Sequence, residues 1–400
     1  MAKSIAWLAV NFGPSSGGTR TILQNINYLI DDGYKCDLYV DRTDETPDEL
    51  KTRIEHDYFH FKGGVFTGHH LEKKYDMAVA TYYETAKTVA DLNVKHKVYF
   101  VQDYEPWFFP ASEQFINAEK SYALNLKTIT IGKWLSRKLD EKSTNNTHPK
   151  YYNFCADLSI YHPIESSTSD EDSICCVLQP DKPRRCTEMA LRSLQIVKAI
   201  RPQTKIYLYG SPICDVENLD ATHLGIISVE ECNELYNKCT AGLCLSASNP
   251  SRIPFEMMAA SLPVVELYRE NNLYDLPENG CLLAEPSAEA LASALLKILT
   301  DKKLRSNLSE GGKTYMRDYP LELGYEQVKH IIDSIFQDND EMSKNKPKII
   351  YGREPIASNI DKIIINKLPK AVLQPIAEEH DERPRSLISR IANKLRRLTR

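Results

Sequence analysis

The chain is 400 residues long, 42% hydrophobic and 26% charged, with a formal net charge of -5. That length allows two buried cores, the composition is that of a globular protein, and the small, dispersed charge gives the body no global reason to bind nucleic acid. The ten cysteines are scattered without a CxxC pair, which excludes the usual zinc and redox motifs, and no segment has the apolar length of a membrane span. Met1 to Val10 lacks the order of a signal peptide, so the expectation is a cytoplasmic protein with reduced thiols.

Along the chain, Ser4 to Val10 reads as a strand, Asn11 to Thr19 as a Gly-rich loop, and Ile22, Leu23, Ile26, Leu29 and Ile30 recur at helical spacing. Apolar runs at Cys36 to Val40, Met77 to Ala80, Val98 to Val101 and Thr128 to Ile131 predict further strands, with helical or mixed segments between them. The pattern restarts with Ser173 to Leu178, a turn at Gln179 to Arg185 and an amphipathic helix over Thr187 to Ile200. Strand candidates follow at Lys205 to Tyr209, Gly242 to Leu245 and Leu262 to Leu267. Alternation of this kind predicts an α/β protein with two doubly wound domains, residues 1–165 and 166–336, divided in the polar stretch Pro163 to Ser173. After Ser287 the chain reads as helical to about Phe336, interrupted at Gly311-Gly312 and Pro320, with its last helix returning to the first domain. Residues 337–400 read as a linker and a tail.

Four segments carry candidate chemistry. Gly17-Gly18 follows the first strand and opens the first helix, where a bare backbone can meet an anion or acceptor; a tight structural turn explains it equally well. The loop has neither the GxGxxG fingerprint nor the Walker A lysine, which argues against nicotinamide enzymes and P-loop NTPases. Pro180 to Arg185 puts Lys182, Arg184 and Arg185 at the end of the strand that opens the second half, where arginine forks fit phosphate oxygens, unless they are simply solvated. Val101 to Pro110 gathers Asp103, Tyr104, Glu105 and further aromatic residues at another strand end, as a sugar platform or as a structural cluster. Ser251 to Val265 sets Glu256 one turn into an apolar helix, suited to ribose hydroxyls or to a first-turn dipole contact.

These segments resemble the retaining glycosyltransferases of family 4. Ser251 to Val265 is similar to their donor-site helix, and Gly17-Gly18, Asn153 to Pro163 and Leu224 to Ser246 extend the match over roughly residues 1 to 335. Phe100 to Pro110, Pro183 to Arg185 and Ser251 to Met258 are most similar to WsaF-like bacterial rhamnosyltransferases. The resemblance implies the GT-B fold, two Rossmann-like domains facing a central cleft, with a C-terminal helical tail. It implies a nucleoside diphosphate sugar donor, dTDP-rhamnose favoured over a UDP- or GDP-sugar, and a glycan acceptor of surface-polysaccharide assembly, free or lipid-linked. Catalytic roles fall to Asp103, Arg184 and Arg185, donor binding to Gly210, Ser251, Arg252, Ile253 and Glu256, and the acceptor or phosphate loop to Gly17, Gly18, Tyr104 and Glu105. No cofactor or metal is expected, since both Asp-x-Asp triplets, Asp170 to Asp172 and Asp338 to Asp340, lie in polar linkers. The family pattern pairs two glutamates with seven residues between them; Ser248 stands at the first position, which turns the expectation toward a deoxysugar, with a non-catalytic nucleotide-binding subunit as the rival.

The tail from Arg383 to Arg400 holds seven basic residues and no acid, with Leu387, Ile388, Ile391, Leu395 and Leu398 on one side of a helical projection. Such a segment suits an anionic membrane surface, or equally a solvated or partner-packed helix.

Overall fold

The computed structural model describes residues 2–14, 16–141, 148–165, 171–212, 214–338 and 347–375. The chain forms two compact units, Met1–Phe154 with Glu322–Lys348, and Cys155–Leu321 with Ile349–Arg400. The basic tail therefore lies outside the described residues.

The first unit is built on β1 (Ser4–Val10), α1 (Gly17–Asp31), β2 (Lys35–Asp41), α2 (Pro47–Asp57), β3 (Gly64–Thr67), β4 (Met77–Ala80), α3 (Tyr83–Asp91) and β5 (His96–Val101). A 3-10 turn at Glu105–Phe108, α4 (Glu113–Ser121), β6 (Lys127–Ile131), α5 (Lys133–Asp140) and β7 (Lys150–Tyr152) complete it. Its seven strands run in the order β3-β2-β1-β4-β5-β6-β7, all parallel. Ile5 to Ala9 are buried on both faces, as a central parallel strand under helices has to be, which is why the strand reads as a continuous apolar run.

The second unit contains β8 (Ser173–Val177), a 3-10 turn at Pro183–Arg185, α6 (Thr187–Ile200), β9 (Lys205–Tyr209), β10 (Cys214–Glu217), β11 (Thr222–His223), α7 (Val229–Lys238) and β12 (Ala241–Leu243). There follow α8 (Ile253–Ala259), β13 (Val264–Leu267), α9 (Glu270–Leu273), β14 (Cys281–Ala284), α10 (Ala288–Thr300) and α11 (Lys302–Arg317). Its six-stranded sheet, β11-β9-β8-β12-β13-β14, is again parallel. Strand order reverses between β1 and β4 in one unit and between β8 and β12 in the other, the switch points where open α/β sheets receive ligands.

The units divide differently from the expected 1–165 and 166–336. Residues 155–165 lie with the second unit, because Ala156 donates to the Tyr319 carbonyl at 3.2 Å and the amides of His162 and Ile164 donate to Asn233 and Asn237. The helix α12 (Leu321–Phe336) lies almost wholly with the first. Its Gln327 accepts from the Asn153 amide at 2.9 Å, and its Asp333 takes Lys3 at 2.8 Å and the Tyr34 hydroxyl at 2.5 Å. Against the effect of burial, those donors and Lys329 hold the Asp333 carboxyl down to about 2.

Residues 349–375, within the span expected as linker and tail, form a strap on the second unit. Ile350 and Tyr351 donate to the Leu273 carbonyl, and Ile356 exchanges backbone bonds with Leu283 and Glu285. The Arg192 guanidinium gathers the carbonyls of Ile365, Leu368 and Pro369 around α13 (Lys362–Lys367), and β15 (Val372–Pro375) pairs antiparallel with β10.

Gly311-Gly312 does not interrupt a helix; α11 runs through both residues. The glycines are packing residues, since a Cβ on Gly311 would fall inside contact distance of the Asn279 carbonyl and one on Gly312 would meet Met258 of α8 at 3.1 Å. In an exposed helix, Gly to Ala gains about 1 kcal/mol. Here we expect the opposite sign: Gly311→Ala should lose on the order of 2 kcal/mol through overpacking, read as a lower urea midpoint at unchanged slope.

Candidate functional site

The strongest constellation lies at the β8/β12 switch point of the second unit. After β8 the chain turns through Pro183–Arg185, and Cys186 enters α6 from a left-handed conformation, φ 50° and ψ 43°. That sharp entry leaves the Arg184 carbonyl free to accept from the Ala247 amide at 2.8 Å, joining the arginine turn to the loop that follows β12. Arg184 and Arg185 are half-buried, and two Arg185 nitrogens, Nε and Nη1, are buried without a hydrogen-bond partner. Burial, and then the two arginines, push the Lys182 ammonium below its ordinary value. Cations held this closely together present an attractive surface to a polyanion.

The loop after β12 delivers the remaining donor candidates. Ser251 Oγ lies 3.5 Å from Cys244 Sγ, Arg252 is the N-cap of the short α8, and Glu256 Oε1 stands 3.9 Å from Arg252 Nε. Ser251, Arg252, Ile253 and Glu256 are all partly exposed, while Pro254 and Phe255 hold the helix to the core. Gly210 sits past the end of β9 with φ +97°, where a Cβ would press on Val177 at 2.9 Å, so the position requires glycine; its amide donates to the Gly225 carbonyl.

Beneath this loop lie two residues that the sequence reading missed. Glu266, inside β13 and fully buried, accepts from the amides of Ser246 at 3.0 Å and Leu267 at 2.7 Å, both through Oε1. Asn271 donates through Nδ2 to the carbonyls of Ser246 and Ser248. Ser248 itself is fully buried. A carboxylate within the apolar run Leu262 to Leu267 was the available signal.

In the first unit, the Gly-Gly loop is held from the side. Ser16 caps α1 by accepting from Thr19, Tyr58 donates to the Gly13 carbonyl at 2.7 Å and accepts from the Ser16 amide, and Arg53 bonds the Phe12 carbonyl at 2.8 Å. Gly17 is exposed, and a Cβ on Gly18 would come within 3.3 Å of Gln102. Asp103 is 9% exposed and accepts from the Tyr104 amide at 2.8 Å. Tyr104 is buried, with its hydroxyl on Glu119 at 3.2 Å.

Both carboxylate oxygens of Glu105 are engaged within the first unit. It is 3% exposed, and its two oxygens are taken by the Tyr83 amide at 2.7 Å and the Tyr99 hydroxyl at 2.9 Å, so it anchors the start of α3 to the end of β5. Burial pushes its carboxyl up to about 8 against those two hydrogen bonds. The expected Asp-x-Asp linkers also show structural work: Asp172 is bound by Arg201, Gln203 and Thr204, and Asp338 pairs with Lys95. Asp170 and Asp340 lie outside the described residues.

Residues 55–133 match the model of the WsaF N-terminal domain and residues 172–296 that of the WsaF C-terminal domain. The O-antigen biosynthesis protein RfbC of Myxococcus xanthus is 27% identical over 241 residues, which are 58% of this chain; the chain spans only 19% of that relative's length. Among solved structures, Anabaena HepE in complex with UDP and glucose aligns with a TM-score of 0.65 at 14% identity, over 82% of this chain and 99% of HepE. A variant of S. aureus TarM in complex with UDP aligns at 0.65 and 8% identity, over 83% and 100%. The pneumococcal O-GlcNAc transferase GtfA, in complex with UDP and GlcNAc, aligns at 0.62 and 10%, over 84% and 100%. Two parallel-sheet α/β units with these neighbours give this chain the GT-B fold. The two WsaF domain models match in chain order, N-terminal before C-terminal.

Among the described residues, no helix is long and apolar enough to cross a membrane. The buried Glu105 makes stability depend on pH. Its folded value lies above the ordinary one, so its contribution is complete below about pH 4.5 and is lost as pH rises through about 8, at a slope approaching about 1.4 kcal/mol per unit. Glu105→Gln keeps an acceptor for the Tyr83 amide and removes the titration. Denaturation at pH 5, 7 and 8.5 should show the wild-type-minus-variant difference shrinking as pH rises.

Proposed function

We propose that this chain transfers a sugar, L-rhamnose from dTDP-rhamnose, to a glycan acceptor during assembly of a bacterial surface polysaccharide such as an O-antigen or S-layer glycan. The observation that carries the reading is the bond from Ala247 to the Arg184 carbonyl, which unites the arginine turn and the Ser246–Arg252 loop at the switch point of the second unit. Arg184 and Arg185 hold the donor diphosphate and balance the charge that grows on it as the glycosidic bond breaks, and this cationic pair makes a divalent ion dispensable. Ser251, Arg252 and Ile253 frame the phosphates, Glu256 accepts from the ribose hydroxyls, and Gly210 keeps the neighbouring strand end low.

The acceptor is met by the first unit, at Gly17, Gly18 and Asp103, with Tyr104 as buried support. Transfer retains the anomeric configuration, the leaving phosphate taking the acceptor proton, so that no enzyme nucleophile is required. The rhamnose assignment draws on the two WsaF domain matches and on Ser248, which withholds a carboxylate where the resembled family carries its first glutamate. Residues 383–400 hold the protein at the cytoplasmic face of an anionic membrane, near a lipid-linked acceptor.

A second reading, a UDP-sugar donor, is favoured by one observation: HepE, TarM and GtfA were each solved with UDP. Calorimetric titration with dTDP, UDP and GDP separates the two. We expect dTDP to bind tightest, and the double replacement of Arg184 and Arg185 by Ala to weaken it by roughly 100-fold or more, since charge-assisted bonds contribute about 1.5–3 kcal/mol each. Tighter binding of UDP would keep the site and discard rhamnose. No binding of any nucleotide would discard the enzyme in favour of a subunit without transfer.

A further inference from the structure

Glu266 and Arg185 form an unfinished pair. Glu266 is 0% exposed, and its Oε1 is filled by two backbone amides while Oε2 is buried with no hydrogen-bond partner. Arg185 attracts this carboxylate, yet its own buried Nε and Nη1 remain unpartnered. The two are tied to adjacent amides of one loop, Glu266 to Ser246 and the arginine turn to Ala247, and buried polar atoms left unsatisfied there are costly unless something else completes the set.

We propose that Glu266 is a positioning residue that takes up a proton on Oε2 when an anionic diphosphate occupies Arg185, releasing the guanidinium's charge to the ligand. The inference rests on the nucleotide-binding reading given above. Above about pH 8, before a ligand arrives, an ionised Glu266 has the nearby positive charge to itself. Arrival of a diphosphate places a second anion against the same cation in a dry setting, and the carboxylate yields by accepting a proton from solvent. Its Oε1 stays bonded to Ser246 and Leu267 throughout, so the loop keeps its shape while the charge changes.

Burial already pushes the Glu266 carboxyl up to about 8, against the two amides and the pull of Arg185. The other charged and titratable groups around it come from every neighbouring element: Cys186 at the head of α6, Cys244 after β12, Cys281 in β14, and Arg269, Arg353 and Glu256, which act on the same thiols. Burial raises the Cys186 thiol, drives the Cys244 thiol to about 12 and lifts the Cys281 thiol further, so none of the three gains charge near pH 8. Lys182, lowered by burial and by Arg184 and Arg185, is a rival group that an arriving anion would also help to protonate.

The test is calorimetric titration of the full chain with dTDP and UDP at pH 7.5, 8.5 and 9.5, in buffers of different ionisation enthalpy. At these values the terminal phosphate is already fully ionised. The wild-type protein should take up close to one proton per nucleotide at pH 9.5, and its dissociation constant should rise up to tenfold per pH unit above about 8. Glu266→Gln, whose amide carbonyl still accepts from both backbone amides, should bind without proton uptake and with an affinity that no longer changes with pH. Infrared difference spectra of the wild-type protein at pH 9 should show a protonated carboxyl band appearing on nucleotide addition, a readout that does not depend on the variant's folding. A pH dependence that persists in Glu266→Gln places the proton on another group, such as Lys182 or N3 of the pyrimidine base, and overturns the proposal, as does wild-type binding with no proton exchanged. Wild-type protein that binds no nucleotide at any pH removes the site reading together with this inference.

Discussion

A parallel strand buried on both faces must end somewhere, and at its carboxyl end the chain leaves the ladder with amides that have no water to turn to. Both units meet this constraint with a buried glutamate. Glu105, just past β5, takes the Tyr83 amide and the Tyr99 hydroxyl; Glu266, within β13, takes the Ser246 and Leu267 amides. Each carboxyl is driven up to about 8 by burial, so near neutral pH each is largely an acid that satisfies backbone groups without the full cost of a buried charge. The turns carrying the candidate chemistry hang from these anchors.

Much of the fold was legible because buried parallel strands read as apolar runs. Met77–Ala80, Lys205–Tyr209 and the helix Thr187–Ile200 coincide with their sequence expectations to the residue. Among the missed strands, β3, β7, β11 and β14 lie at sheet edges and are at most four residues long, and an edge strand is not bound to the continuous apolar run that marks a short central one such as β4. Gly311-Gly312 was misleading because local propensity treats glycine as a break, whereas here its missing side chain admits a neighbouring backbone. The strap was hidden for another reason: it is fastened through backbone carbonyls gathered by Arg192 and through single residues such as Tyr351 and Ile356, which have no periodicity.

The candidate site was legible where charge type alone carries meaning. Arg184 and Arg185 stand out after a strand in any reading. Glu105 stood out as well, but its task depends on which amide the topology brings to it, and Tyr83 lies 22 positions away in the chain. Glu266 failed to stand out because it occupies a run that otherwise reads as pure core. Sequence shows that a carboxylate is present; only the fold shows whether its oxygens are already occupied.

The Ser246–Arg252 loop is fastened from three directions: by the Arg184 carbonyl, by Glu266, and by Asn271 together with the Ser246 hydroxyl, which donates to the Asn249 carbonyl at 2.8 Å. A loop so held spends little ordering entropy on binding, which favours a ligand that fits its existing shape. Arginines read the phosphates that every nucleoside diphosphate shares, so they supply affinity without choosing the base or the sugar. Choice has to come from hydrogen-bonding groups that match one pattern of hydroxyls and are left unpaired by another. Ser248 offers no carboxylate at its point in the loop. Glu256 stands within ion-pair distance of Arg252, and Glu266 is spent on the backbone beneath. The second unit is thus firmly held and cationic at the arginine turn and sparing in carboxylates along the loop beside it, which is the distribution that the proposed deoxysugar donor asks for.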